Sequence, residues 1–105
     1  MSKIEADQGI ITQINVFTVA EENKQALIEL LIEAANSVRE VEGWISANIH
    51  VSLDGKQVVN YAQCANYAAW EKVMQKLVAG NFLERNKTLA TAHPALYEVV
   101  YTLEK

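Results

Sequence analysis

Residues 43–70 read GWISANIHVSLDGKQVVNYAQCANYAAW. Two runs rich in β-branched and aromatic residues flank Asp54-Gly55. That dipeptide between strand-like runs predicts a hairpin closed by a two-residue type I′ turn, in which both central residues take positive φ. The turn sets a register in which Leu53 faces Lys56, Val51 faces Val58, Ile49 faces Asn60, Ala47 faces Ala62 and Ile45 faces Cys64. Ile45, Ala47, Ile49, Val51, Val58, Asn60, Ala62 and Cys64 share one face, apolar except for Asn60 near its middle. Trp44, Ser46, Asn48, His50, Val59, Tyr61 and Gln63 share the other, polar and aromatic enough for a wet interface.

Working outward, Asn66 is placed to cap a helix whose apolar stripe is Ala69, Trp70, Val73, Met74 and Leu77, with Gly80 at its end. Asn81 then opens a shorter helix from Phe82 to about Ala92, closed by His93-Pro94 because proline drives its predecessor out of the α region. Leu96–Leu103, LYEVVYTL, reads as a terminal strand. On the N-terminal side, Glu21 to about Val41 repeats apolar residues at helical spacing (Leu27, Leu30, Leu31, Ala34, Val38, Val41), with Glu21 and Glu22 suited to the positive helix end. Ile10–Val19, IITQINVFTV, is a β-rich strand with two mixed faces, and residues 1–8 read as a flexible tail before a single domain over 9–105.

Strand, helix, strand, strand, helices, strand is the split β-α-β order of a ferredoxin-like α+β sandwich, a four-stranded antiparallel sheet with helices on one face. The uncovered face would expose Trp44, Val59, Tyr61 and half of the first strand, which predicts a homodimer that buries it sheet against sheet.

Composition limits the function. A chain of 105 residues makes one core. A formal net charge of −4 without a Lys/Arg cluster argues against nucleic acid or an anionic membrane as partner. No apolar run has the length of a signal sequence core or a membrane span, which predicts a cytoplasmic protein. One cysteine and two distant histidines offer no recognisable metal-ligand spacing, so no metal site is expected.

Three stretches, INVFTV (Ile14–Val19), GWISANIHVSLDGKQVVNYAQ (Gly43–Gln63) and LYEVVY (Leu96–Tyr101), resemble the antibiotic biosynthesis monooxygenase domains, small dimeric α+β barrel proteins. The middle stretch is the most specific. The resemblance implies oxygen insertion into electron-rich aromatic substrates, often without metal, flavin or haem; other members degrade haem. In quinone-forming members the motif that reads NYAQC here (Asn60–Cys64) usually ends in tryptophan, and its asparagine and tryptophan line a pocket between sheet and helices. Asn60 matches that pattern and Cys64 departs from it, while Trp70 stands where some members have tyrosine. The haem-degrading set resembles Asn15 on the first strand and Trp70 on the helix, but its histidine falls near Asn86.

Asn60 is the strongest catalytic candidate, because an amide facing an apolar layer must find partners or leave a buried group unsatisfied. Its amide would hold a phenolic or keto oxygen and stabilise the charge of an enolate or phenolate, which can react with oxygen directly and needs no cofactor. The plainer alternative is a backbone contact at a strand irregularity. Asn15 is a possible second polar contact, and Trp70, Cys64 and Tyr67 are candidate walls. Each has a packing role to weigh against that: Asn15 can meet solvent, Trp70 lies on a core stripe, and Cys64 is a small buried thiol with no base nearby. His50 belongs to the face opposite Asn60, and His93 to a helix end. The function expected is therefore a cofactor-independent monooxygenase for a small aromatic or quinone-type molecule. A non-catalytic binding dimer is the alternative, and haem degradation a third.

Overall fold

The structure, a computed structural model, describes residues 4–6 and 8–105. Met1–Lys3 and Asp7, part of the expected 1–8 tail, lie outside the described residues. Strands β1 (Ile11–Val19), β2 (Trp44–Val51), β3 (Gln57–Cys64) and β4 (Ala90–Glu98) form one antiparallel sheet in the order β2-β3-β1-β4. Helices α1 (Glu21–Val38), α2 (Tyr67–Ala79) and α3 (Phe82–Lys87) supply the second layer. This is the ferredoxin-like arrangement expected from the element order.

The core sits where β1 and β3 meet α1. Phe17 pairs with Val58 across the two central strands, and both pack with Val19, Leu27 and Leu31. Their alternation defines an inner face, toward the helices, that carries Ile11, Gln13, Asn15 and Phe17 of β1 opposite Cys64, Ala62, Asn60 and Val58 of β3. A second cluster joins Val38, Cys64, Ala69 and Val73, with Trp44, Trp70 and Leu77 against it. Phe82 of α3 packs on Leu30 and Ala34.

The hairpin keeps the expected pairs Val51–Val58, Ile49–Asn60 and Ala47–Ala62 but reaches them through a different turn. Ser52 and Gln57 bracket it, the N–H of Gly55 donates to Ser52 O, and only Gly55 has positive φ, at 76°. Asp54 instead uses its side chain: Oδ1 accepts from the Ser52 hydroxyl at 2.7 Å and from the Lys56 N–H at 3.0 Å, which holds its carboxyl below the usual range. An Asx-type bond therefore replaces the second left-handed residue. Beyond Ala47 the register slips at a bulge between Trp44 and Ser46. The slip corrects two assignments: Trp44, expected on the uncovered face, turns inward opposite Cys64, and Ile45 is left 40% exposed.

The C-terminal third also differs from expectation. Helix α3 stops at Lys87, where the N–H groups of Thr88 and Leu89 close the last turn on Arg85 O and Asn86 O. Where a helix to about Ala92 and a strand over Leu96–Leu103 were expected, the strand runs over Ala90–Glu98, pairs with β1 along its length and stops before Val99. Pro94 is tolerated because β4 is an edge strand with one neighbour. His93 accordingly lies on the outer face opposite Val16 and not at a helix end. Asn66 does cap α2, accepting from the Ala69 N–H at 2.9 Å, whereas Asn81 precedes α3 in a left-handed conformation (φ 64°) without a side-chain cap.

Gly43 fixes how closely α2 approaches the hairpin. Its φ is 91°, and a Cβ there would come within 2.6 Å of the Ala69 Cβ. Gly43→Ala should lower the unfolding free energy by about 2 kcal/mol or more, since strain and overpacking act together; urea unfolding with no change in midpoint would contradict this.

Candidate functional site

The register that builds the core also places two amides side by side. Asn15 and Asn60 are direct cross-strand partners on the inner face, one step from Phe17 and Val58, which puts their Cα atoms about 4.5–5.5 Å apart. Ile49 flanks the pair on the β2 side and Pro94 on the β4 side. The next row is Ala47, Ala62, Gln13 and Leu96, so small side chains and a further amide follow the asparagines toward the Cys64 end of the sheet.

Helices α1 and α2 pack on β2 and β3, and α3 packs against β4. Trp70 is part-buried next to the buried Ala69 and Val73, and Tyr67 is 5.2 Å from it centroid to centroid. On α3, at about 100° per residue, Asn86 falls between Phe82 and Leu83, the inward positions of that helix. The inner face toward β4 is less covered: Pro94 and Leu96 are exposed, which leaves a way in from that edge.

Four buried polar atoms in these elements have no hydrogen-bond partner within the protein: Asn15 Oδ1, Asn60 Oδ1, Asn86 Oδ1 and Trp70 Nε1. Each such group costs about 1–3 kcal/mol relative to a satisfied one. Ser46 Oγ is also unpartnered, but it belongs to the outer face opposite Gln63. Elsewhere buried polar groups are satisfied, as where Gln63 Nε2 donates to Thr12 Oγ1 at 3.0 Å. Most of the unpaired buried atoms among the described residues thus belong to the inner face and to the helices of the second layer, and each calls for a physical explanation.

Of the residues nominated from sequence, Asn15, Asn60 and Trp70 belong to the layers that enclose this face. Cys64 is four residues along β3 from Asn60, about 13 Å by strand rise, and is buried in the second cluster beside Trp44. Burial pushes its thiol pKa up, which disfavours the thiolate. The bulge thus brings an indole from β2 to the side of Cys64. Tyr67 is 53% exposed at the start of α2. His50, opposite Val59, and His93 both lie on the outer face, so neither imidazole reaches the asparagine pair. Among the described residues no group of three or more His, Cys, Asp or Glu side chains could hold a metal ion, and no helix is long and apolar enough to cross a membrane. Asn86 was not nominated as a contact, because a short helix gives little periodicity; its place between Phe82 and Leu83 was the available signal.

The profile of the antibiotic biosynthesis monooxygenase family matches residues 10–84. The chain belongs to that family. A relative in sequence is tetracenomycin-F1 monooxygenase of Streptomyces glaucescens, 41% identical over 64 residues. That match covers 60% of this chain and 57% of the relative's length. Among solved structures, SnoaB, a cofactor-independent oxygenase from Streptomyces nogalater, superposes with a TM-score of 0.83 at 16% identity, covering 92% of this chain and 99% of that one. A monooxygenase from the gene ActVA-Orf6 of Streptomyces coelicolor, in complex with nanaomycin D, gives 0.80 at 23% identity, covering 93% and 94%. These structures share the fold of the family.

If Asn60 contributes to a site and not to the fold, an apolar residue of similar size should stabilise the protein. Asn60→Leu is expected to leave the unfolding free energy unchanged or raise it by about 1 kcal/mol. A loss above about 2 kcal/mol in denaturant titration would instead assign the amide a structural bond.

Proposed function

We propose that this protein is a cofactor-independent monooxygenase that oxidises a small aromatic or quinone-type molecule on the inner face of the sheet. The observation that carries this reading is the adjacent pair Asn15 and Asn60, whose side-chain oxygens are buried without protein partners on the inner face of the sheet. Asn60 is the proposed catalytic residue. One amide presents an acceptor and two donors, so it can orient a phenol through its oxygen and stabilise negative charge on a neighbouring keto or phenolate oxygen through N–H. Asn15 supplies a second polar contact. Trp70 forms the aromatic wall, Tyr67 its outer margin and Cys64 the far end, where the small thiol leaves a shape different from that of relatives with tryptophan.

The reaction follows from what such an environment stabilises. A CH₂ flanked by a phenolic ring and a carbonyl loses a proton to solvent and becomes an enolate whose charge rests on the oxygen held by Asn60. The enolate carbon transfers its electrons to O₂ and forms a C–O bond, giving a peroxide that takes up a proton. Loss of the second C–H proton then breaks the O–O bond, so that CH₂ and O₂ become C=O and water. The protein holds the aromatic plane and the developing anion, and the reducing electrons all come from the substrate.

The outer face supports a homodimer. Thr12, Ile14, Tyr61 and Tyr97 line a groove of about 940 Å³ with the C-terminal segment, in which Tyr101 and Leu103 are 72% and 82% exposed. Sheet-to-sheet association would cover it. Light scattering should give twice the mass of the chain, and a monomer at micromolar concentration would reject the dimer.

The activity is tested by oxygen uptake with anthrone- and hydroquinone-type substrates. Asn60→Ala should reduce turnover by about 10²-fold while the far-ultraviolet circular dichroism stays unchanged. Undiminished uptake in the variant would remove Asn60 from the mechanism. Tight binding of such compounds with no uptake would favour the non-catalytic binding protein, a reading supported by Cys64 at the motif's end.

A further inference from the structure

The chain carries 13 acidic and nine basic residues, yet no Asp, Glu, Lys or Arg stands on an outer-face position of the sheet ladders. That face does carry both histidines. His50 pairs with Val59, Val59 with Val16 and Val16 with His93, so the two imidazoles end one row that crosses all four strands. Both are exposed in the single chain. Three strand spacings set them about 14 Å apart. Among the described residues neither forms an ion pair with a carboxylate. The other titratable groups on the sheet face itself are the phenols of Tyr61 and Tyr97. In the C-terminal segment Glu98, Tyr101 and Glu104 line the groove at the Thr12 end, which is four residues along β1 from the histidine row, or about 13 Å. The N-terminal segment places Ile4 beside His50, while Glu5 lines a separate hollow with Glu98. In the turn beyond His50, Asp54 Oδ1 already accepts from the Ser52 hydroxyl and the Lys56 N–H.

We propose that the outer face is a proton-linked surface for self-association: two copies meet through it while His50 and His93 are neutral, and protonation of these imidazoles drives the copies apart. This deepens the homodimer reading of the outer face and rests on it. A second copy is the partner that fits, because two uncharged faces meet without the repulsion that a formal net charge of −4 imposes elsewhere. An ordinary interface covers about 800 Å² per partner, a patch about 28 Å across, so one centred on Val16 and Val59 spans both histidines. Association then takes four imidazoles out of water. A neutral imidazole keeps one donor and one acceptor and suits a polar interface, whereas an imidazolium there is a cation with no carboxylate on either face to pair it. Imidazole changes charge between about pH 5 and 8. The dimer binds fewer protons than two separate chains, so association is favoured at the upper end of that window and lost as the pH falls through it.

The test is analytical ultracentrifugation of the full chain at micromolar concentration between pH 8 and pH 5.5, with circular dichroism at each pH. The dimer dissociation constant should rise by about 100-fold or more over that range and recover on return to pH 8, with the circular dichroism unchanged. His50→Gln combined with His93→Gln keeps polar side chains that cannot take up a proton and should stay dimeric throughout. Each single substitution should remove part of the pH dependence. If the double variant fails to fold, His50→Asn combined with His93→Asn must give the flat profile, and the wild-type histidine ring resonances in NMR must titrate at lower pH in concentrated than in dilute solution. A wild-type dissociation constant that does not change with pH, a pH dependence that survives in the double variant, or unfolding before dissociation would overturn the proposal and leave the dimer standing. A chain that is monomeric at pH 8 would reject the dimer itself and the proposal with it.

Discussion

Everything at the candidate site depends on the pairing of β1 with β3. Phe17 and Val58 meet one pair from its Thr18–Gln57 end and are almost completely buried against Leu27 and Leu31 of α1. Burial of side chains of this size is worth about 1.5–3 kcal/mol each. A slip of one residue would turn both to the outer face, so the register is strongly specified. Because Asn15 and Asn60 lie two residues from this anchor on the same face, the same constraint brings the two amides together. The packing of the core thus fixes the placement of both amides.

That division has a thermodynamic side. Four buried polar atoms without protein partners, two on the inner sheet face and one each on α2 and α3, represent a cost that a freely optimised fold would remove, by apolar replacement or by pairing the amides. The protein elsewhere satisfies its buried amides, as in the Gln63–Thr12 bond on the opposite side of the same sheet. The contrast between the two faces is the strongest physical reason to place ligand chemistry between sheet and helices and association on the outer face. Strand alternation carries both histidines to the outer face, away from Asn15 and Asn60.

Much of this was legible in the chain alone. Periodicity located α1 and the start of α2, Asn66 was readable as a cap, and Asp54-Gly55 set the pairing of Ile49 with Asn60 even though the turn proved to be a different one. The registers agree because a two-residue loop and a longer loop around a type I turn can bring the same residues opposite each other. The failures were non-local. His93-Pro94 has the local signature of a helix end, yet β4 runs through it, because nine residues of pairing with β1 outweigh local preference at an edge where proline has no ladder bond to lose. Trp44 was assigned to the wrong face because no sequence pattern announced the bulge beside it.

The sequence by itself determined the element order, the sheet-and-helix class, the family likeness and the polar exception at Asn60, since alternation, helical periodicity and motif spacing are local properties. Only the tertiary structure decided which polar groups share a face. Asn15 became the partner of Asn60 because β3 crosses from the hairpin to lie beside β1, a contact between residues 45 positions apart. Asn86 came to share the inward side of α3 with Phe82 and Leu83 because that helix ends at Lys87. Trp44 came to stand beside Cys64 through a single extra residue in β2. Each of these placements depends on long-range packing, whose energy is realised only when the layers close.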